Sequence, residues 1–465
     1  MKSKKTIIKE LSKEAGIDLG VEIKERMNKA IAYFQGKEQL AEMIWKIQPF
    51  FYDVSKIWWF WDSKTFRWKI VDETDILNMV SDLSVANTVE GKEKSEILES
   101  MRQFGRRKKP QSMKKTWIQF KNIIYDLETD EKFEATPNYF ATNPIPYCMG
   151  NQGATPTLDK IFEQWVGSDH IQTLYEIIAY CLLPDYPIHR LFCFIGSGMN
   201  GKSKFLELLR NFLGEENCCS TELDTLLSSK WEITRLHKKL ACQMGETNFS
   251  EMKKTSMLKK LSGGDLIGFE YKRKDPFEDT NYAKILISTN SLPATTDKTR
   301  GFYRRWLIID FPNEFTEKKD ILSEIPEEEY EALVFKSIAY LRLLLQKREF
   351  TNEGSIEERM KKYEDASNPL KKFIEEYCSV GDINAEVTKS QFEKQLNNWL
   401  KSTGQRTLSS IEITKRMRNE EFEDGRGYID WYNGENHSKK LVRIWKGIKF
   451  KGNMTDMTDM TGIST

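Results

Sequence analysis

Three absences narrow the reading of this 465-residue chain before any motif is considered. No apolar run approaches the roughly 18 residues that cross a bilayer. Met1–Lys5 leads into Ile7–Lys9 without the apolar core of a signal peptide. Metal-ligand patterning is missing as well: there are four histidines and seven scattered cysteines, no C-x-x-C, and Cys218 and Cys219 stand adjacent rather than spaced. A zinc site is therefore not expected, and the odd cysteine count fits a reducing cytosol. Nor does charge of one sign dominate, since 71 Lys+Arg against 70 Asp+Glu leaves +1. A nucleic-acid surface, if there is one, must be a local patch. These absences point to a cytoplasmic protein with no membrane partner.

What is present is apolar material enough for several cores: 39% hydrophobic and 12% aromatic residues. At about 150 residues per domain the length suggests three domains. Near the N-terminus Ile23, Met27, Ile31 and Phe34 recur at helical spacing. A dense aromatic stretch follows, with Phe50-Phe51-Tyr52, Trp58 to Trp61, Phe66 and Trp68, and its alternation predicts a hairpin turning at Asp62-Ser63-Lys64. These rings read either as the core of a small β unit or as a stacking platform for bases. From Arg102 to Lys121 there are eight Lys/Arg and no acid. Pro110 and Ser112 suggest a flexible loop, either a solvated linker or a phosphate-contacting segment.

The motif that carries chemistry is Gly196-Ser197-Gly198-Met199-Asn200-Gly201-Lys202-Ser203, a match to G-x-x-x-x-G-K-[ST]. It follows the apolar run Leu191–Ile195 and opens a helix whose apolar positions are Phe205, Leu206, Leu209, Phe212 and Leu213. Glycines let backbone N–H groups wrap phosphates, and the helix N-terminus adds partial positive charge. Lys202 is expected on the β- and γ-phosphates of ATP and the Ser203 hydroxyl on Mg²⁺. A second apolar run, Leu240–Gly245, ends in Glu246, a candidate for metal and water. A third, Lys284–Thr289, ends in Asn290, a candidate for orienting water or simply a turn residue. Arg300, Arg304 and Arg305 precede the apolar run Trp306–Phe311 and read equally as structural ion-pair partners or as a finger reaching a neighbouring subunit. Lys272, Arg273 and Lys274 sit at a predicted hairpin tip, suited to a phosphate backbone or to solvent.

Taken in order and spacing, these motifs resemble the superfamily 3 helicases of the AAA+ class, and in particular the helicase part of phage, plasmid and poxvirus-type primase-helicases. The matching stretches are Phe120–Leu127, Tyr139–Tyr147, Gly196–Ser203, Leu261–Asp265, Ile287–Asn290 and Arg304–Phe311, with Trp445–Lys449 near the C-terminus. The resemblance implies an α/β fold: an N-terminal α+β domain (1–157), an AAA+ motor (158–365), a winged-helix-like domain (366–451) and a disordered tail (452–465). It implies a homohexameric ring around DNA, with ATP and Mg²⁺ at Lys202 and Ser203, Glu246 as acid, Asn290 as sensor and Arg304 or Arg305 as the finger. Lys272, Arg273 and Lys274 would grip a single strand in the pore. One departure stands out: Gly245 occupies the place where many such ATPases carry a second carboxylate, so Glu251 is a possible helper. A primase module is not expected.

In the C-terminal region Ser409–Arg418 predicts a helix bearing Lys415, Arg416 and Arg418, suited to a duplex groove. His437–Lys451 alternates cations with apolar residues, as a strand with one buried face does. The implied activity is ATP-driven unwinding in the replication of a phage, plasmid or mobile element. Two alternatives stay open: an ATP-gated origin-binding initiator without processive unwinding, and a P-loop ATPase that remodels protein.

Overall fold

The computed structural model describes residues 37–83, 91–121, 123–150, 152–196, 198–245, 251–252, 254–316, 320–382, 384–402, 407–433 and 436–452. The predicted N-terminal helix (Ile23 to Phe34), Ser197, Glu246 and the tail from Met454 lie outside the described residues.

The aromatic stretch forms an antiparallel meander of β1 (Phe50–Tyr52), β2 (Trp58–Asp62) and β3 (Arg67–Val71), with the expected turn after Asp62. Both faces are covered, which is why nearly every position is aromatic. Phe50, Trp58 and Phe60 pack on α1 (Lys37–Ile47), α2 (Glu73–Leu83) and α3 (Gly91–Arg107). Phe51, Trp59, Trp61 and Trp68 point the other way, onto a second meander. That meander comprises β4 (Trp117–Phe120), β5 (Ile123–Asp126) and β6 (Lys132–Glu134). The rings are core residues rather than an open stacking platform.

The basic segment departs from the flexible loop expected of it. Arg102, Arg106 and Arg107 belong to the end of α3, and β4 begins at Trp117. Arg102 pairs with Glu73 and Glu99, and the Arg106 Nε donates to the Tyr52 carbonyl at 3.1 Å. The amphipathic stretch from Ile97 to Phe104 overrides the turn signals, because its apolar side completes the core beneath β1. Packing also crosses residue 157. Ile118, Phe120, Tyr125 and Ile145 share one core with α4 (Pro156–Val166) and α5 (Ile171–Cys181).

The centre of the molecule is a five-stranded parallel sheet. Its members are β7 (Leu191–Ile195), which leads into α6 (Lys202–Leu213), then β8 (Cys218–Ser220) and β9 (Ala241–Met244). After the two-residue strand β10 (Glu251–Met252) come β11 (Leu266–Phe269), β12 (Phe277–Thr280) and β13 (Lys284–Thr289). The short β14 (Ala294–Thr295) and β15 (Trp306–Asp310) follow. Sheet order is β15-β7-β13-β9-β8, so β13 is inserted between the strand that leads into the glycine-rich loop and β9. Phe192, Cys193, Phe194, Ile285, Leu286 and Ile287 are all buried, as continuous apolar strands of a parallel sheet covered on both faces must be. One face meets α4, α5, α6 and α7 (Glu327–Lys347); the other meets shorter helices and Tyr363 of α8 (Ile356–Ser367). Glu329 accepts from Thr157 N and Leu158 N at 3.0 Å each, satisfying first-turn N–H groups of α4.

Asn368 caps α9 (Pro369–Tyr377), after which β16 (Cys378–Val380), β17 (Glu386–Thr388) and α10 (Lys389–Ser402) follow. The predicted helix appears as α11 (Ser410–Asn419), started by a reciprocal capping box between Ser409 and Glu412. A long antiparallel pair, β18 (Asp424–Asn433) and β19 (Asn436–Lys446), joins β17 in a sheet ordered β17-β19-β18, and β20 (Ile448–Phe450) pairs with β16. Ile444, Trp445 and Ile448 are buried while Lys440, Arg443, Lys446 and Lys449 are exposed. Among the described residues no helix is long and apolar enough to cross a membrane.

Candidate nucleotide and nucleic-acid sites

The glycine-rich loop leaves β7 and turns through left-handed backbone. Gly198 has φ 124°, Met199 φ 45° and Gly201 φ 90°. Two of its glycines are required by space as well. A Cβ on Gly201 would lie 2.4 Å from the Trp165 ring, and one on Gly196 would lie 2.6 Å from the Phe311 carbonyl oxygen. Asn200, 2% exposed, pins the loop to the next strand by donating Nδ2 to that same carbonyl at 3.0 Å. Phe315 N reaches back to the Met199 carbonyl at 2.8 Å, so the segment after β15 wraps the loop.

Lys202 begins α6 and is only 6% exposed. Its ammonium donates to Gly196 O at 2.7 Å, Asn200 Oδ1 at 2.8 Å and Asn290 Oδ1 at 3.2 Å. Asn290 reaches it because β13 lies beside β7 in parallel register, Thr289 opposite Ile195. The two ends emerge on the same edge of the sheet, where α/β proteins bind ligands. A cavity of about 870 Å³ opens there. Gly198 to Lys204 form its floor, Ser220, Gln243, Gly245 and Asn290 one wall, and Trp165, Phe315 and Ile321 an apolar side. Ser203 is exposed in it.

The arginines separate. Trp306 pairs with Leu191 and Asp310 with Ile195, so Arg304 and Arg305 sit at the opposite end of β7 from the glycine-rich loop. Five to six residue steps place them roughly 17–20 Å away along the sheet. Arg305 is buried: its Nε donates to Ser262 Oγ at 3.1 Å, and it also binds the Gly301 and Lys259 carbonyls. Burial lowers its pKa from the ordinary value. Arg304 is half-exposed and touches His189 Nδ1 at 3.5 Å. Arg300 is exposed and paired with Glu357 at 2.9 Å.

Lys272, Arg273 and Lys274 form the tip of the β11–β12 hairpin, with Arg273 in left-handed backbone at φ 61°. The hairpin base is anchored by His237, whose Nδ1 lies 2.9 Å from the Tyr271 hydroxyl and Nε2 3.2 Å from Asp279 Oδ2. Burial lowers the pKa of His237, so the neutral imidazole accepts from Tyr271 and donates to Asp279. Asp279 is half-buried, which by itself would raise its carboxyl, yet His237 and Lys238 hold it well below the usual range. On α11, Lys415 and Arg416 border a cleft of about 480 Å³ that also takes in Thr295, Lys298 and Lys371, whereas Arg418 is paired with Asp424 at 2.8 Å. The expected DNA-binding residues thus fall into two separate groups.

Sequence reasoning missed Trp165, Phe315 and Ile321 in the cavity. Trp165 recurs at core spacing in α4, and no local pattern distinguishes a ring under a glycine from any buried ring.

Residues 194–305 match a sequence family described as a family of unknown function (DUF5906). A protein of Acanthamoeba polyphaga mimivirus named as a candidate helicase, L207/L206, is 25% identical over 231 residues, which is 45% of this chain and 23% of that protein. The chain thus spans about a quarter of that relative's length. Among solved structures, an apo C-terminal region of NrS-1 (residues 305–718) has a TM-score of 0.45 at 12% identity, covering 89% of this chain and 100% of that one. A second, A-form apo structure of the same region has a TM-score of 0.44 at 13% identity, covering 87% and 98%.

Proposed function

We propose that this chain is the ATP-driven motor of a replicative DNA helicase, working as a ring of identical subunits. One observation carries the reading: Lys202, at the end of a glycine-rich loop, and Asn290, from the neighbouring strand, converge on one edge of the parallel sheet. Similarity to a protein named as a candidate helicase is consistent with it. The loop fits a nucleoside triphosphate, because a buried ammonium held by three oxygens is what phosphate oxygens would replace. The N–H groups from Gly198 to Ser203 would cradle the phosphates and Lys202 would pair with the transferring one. Ser203 would hold Mg²⁺, with Glu246 as the expected acid, and bound Mg²⁺ neutralises charge that develops on the phosphates. Asn290 would orient water.

The position of Arg304 supports the ring reading. At the far end of β7 it cannot serve its own P-loop, but it is available to a neighbour's. Arg305, bound to three groups of its own chain, reads as its structural support. The basic hairpin would grip single-stranded DNA, while α11 with β18 and β19, read as a winged-helix-like unit, would contact origin duplex. ATPase activity measured with and without single-stranded DNA, beside light scattering with and without ATP, tests the proposal. DNA-stimulated turnover by a ring supports it; a monomer indifferent to DNA overturns it.

A further inference from the structure

The β18–β19 ribbon changes character along its length. Residues opposite each other in an antiparallel pair share a face, and every second position along a strand returns to it. By register Asp424 stands opposite Trp445, Arg426 opposite Arg443 and Tyr428 opposite Leu441, so these six residues lie in order on one face. Gly425, Gly427 and the buried Ile444 lie on the other. At the first pair the shared face is closed, because Trp445 belongs to the C-terminal core and the Lys389 ammonium sits 3.9 Å from its ring centre. From the second pair outward it is open. Arg426 and Arg443 are exposed, Tyr428 is 66% exposed and Leu441 48%.

Charge on the open part is unbalanced. Asp424, at the closed end, is held by Lys389 at 3.0 Å and by Arg418 at 2.8 Å. Among the described residues neither Arg426 nor Arg443 has a carboxylate within ion-pair distance. At the pair beyond Tyr428, Lys439 stands opposite Asp430 in the register, so the unopposed cations are the two arginines. Like charges directly opposite each other weaken a strand pair, and an anion lying over both would relieve the repulsion. The adjacent ring adds a second kind of contact. A base can stack on an open aromatic face while its phosphates meet the neighbouring cations. The N-terminal tryptophans are covered and cannot serve in this way, whereas Tyr428 is open. Bases in a duplex already stack on one another, so a ring standing out from a strand suits an unpaired strand.

We propose that Tyr428 and Leu441, with Arg426 and Arg443, form a stacking platform for an unpaired nucleotide of single-stranded DNA, beside the duplex assigned to α11. The inference rests on the helicase reading and names the strand that the ribbon takes.

The test uses the full chain and a fluorescent oligo-dT, with anisotropy titrations at several salt concentrations. Tyr428→Ala should weaken binding by about 5- to 150-fold, the range for one lost base stack, without changing the slope of log affinity against log salt. Tyr428→Phe, which keeps the ring, should bind as the wild type does. Arg426→Gln/Arg443→Gln should lower the slope by about 1.4, at roughly 0.7 for each single-strand phosphate contact. On an abasic oligomer of equal charge, Tyr428→Ala and wild type should bind alike. Equal oligo-dT affinity in Tyr428→Ala and wild type overturns the platform. A loss of the same size on blunt duplex also overturns it, in favour of a groove contact. Displacement of oligo-dT by poly-glutamate as readily as by unlabelled oligo-dT overturns it in favour of an acidic protein partner. If DNA still stimulates ATPase in those cases, only the platform fails; if the platform stands but DNA leaves ATPase unchanged, the helicase reading fails alone. A wild-type chain that binds no oligo-dT removes both.

Discussion

The side-chain oxygen of Asn290 lies 3.2 Å from the ammonium of Lys202, joining the end of β13 to the first turn of α6 across the sheet edge. Lys202→Ala should abolish ATP hydrolysis, since it deletes the charge that pairs with the transferring phosphate. Asn290→Ala should still bind nucleotide but turn over roughly 10²-fold more slowly, the scale seen when one positioned polar group is removed. Steady-state ATPase together with binding of a fluorescent nucleotide measures both; equal turnover in Asn290→Ala and wild type would return that residue to an ordinary strand-end turn.

Gly201→Ala should cripple nucleotide binding and lower stability by about 2–4 kcal/mol, combining left-handed backbone strain with a Cβ driven into Trp165. Adding Trp165→Ala relieves the clash but not the φ of 90°, so the double variant should recover binding only in part. Denaturant unfolding and nucleotide titration separate the two causes.

Arg304→Ala and Arg305→Ala should fail differently. Loss of Arg304 should cut hydrolysis about 10³-fold with an unchanged melting temperature, because a finger acts on transition-state charge. Mixing it with Lys202→Ala subunits should restore part of the activity. Loss of Arg305 removes a buried donor from the Ser262 hydroxyl and from the Gly301 and Lys259 carbonyls and should lower stability by about 1–3 kcal/mol. Rescue in mixed rings by Arg305→Ala and not by Arg304→Ala would reverse the assignment.

Lys284, at the start of β13, is fully buried against the rings of Tyr180 and Tyr186, and its ammonium donates to the Leu183 and Asp185 carbonyls. Burial lowers its pKa from 10.5 to about 7. Between those values the unfolded chain holds a proton that the folded chain has lost, so stability should rise with pH across that window, by at most about 1.4 kcal/mol per pH unit. Below about 7 the cost of the buried charge is present in full. Urea midpoints from pH 6 to pH 9 should climb in the wild type and lie flatter in Lys284→Met. Parallel curves would mean that the folded lysine keeps its proton.

Local order alone determined the glycine-rich loop, its flanking strand and helix, the hairpin tip at Lys272–Lys274 and the capped helix at Ser409, because each is specified within about ten consecutive residues by glycine, charge and apolar period. It could not decide between a core and a platform for the tryptophans, or between finger and strut for two adjacent arginines. Those are questions of what lies across the fold. Trp59 is buried because β4–β6 cover it, and Arg305 is a strut because Ser262, Gly301 and Lys259 happen to converge on it. The basic segment from Arg102 misled for the same reason: its turn residues are local, whereas the core that holds α3 in place comes from strands some fifty residues earlier in the chain. Likewise no spacing in the chain announces that Lys56 meets Asp275; the contact exists only because two hairpins from different units share one apolar base.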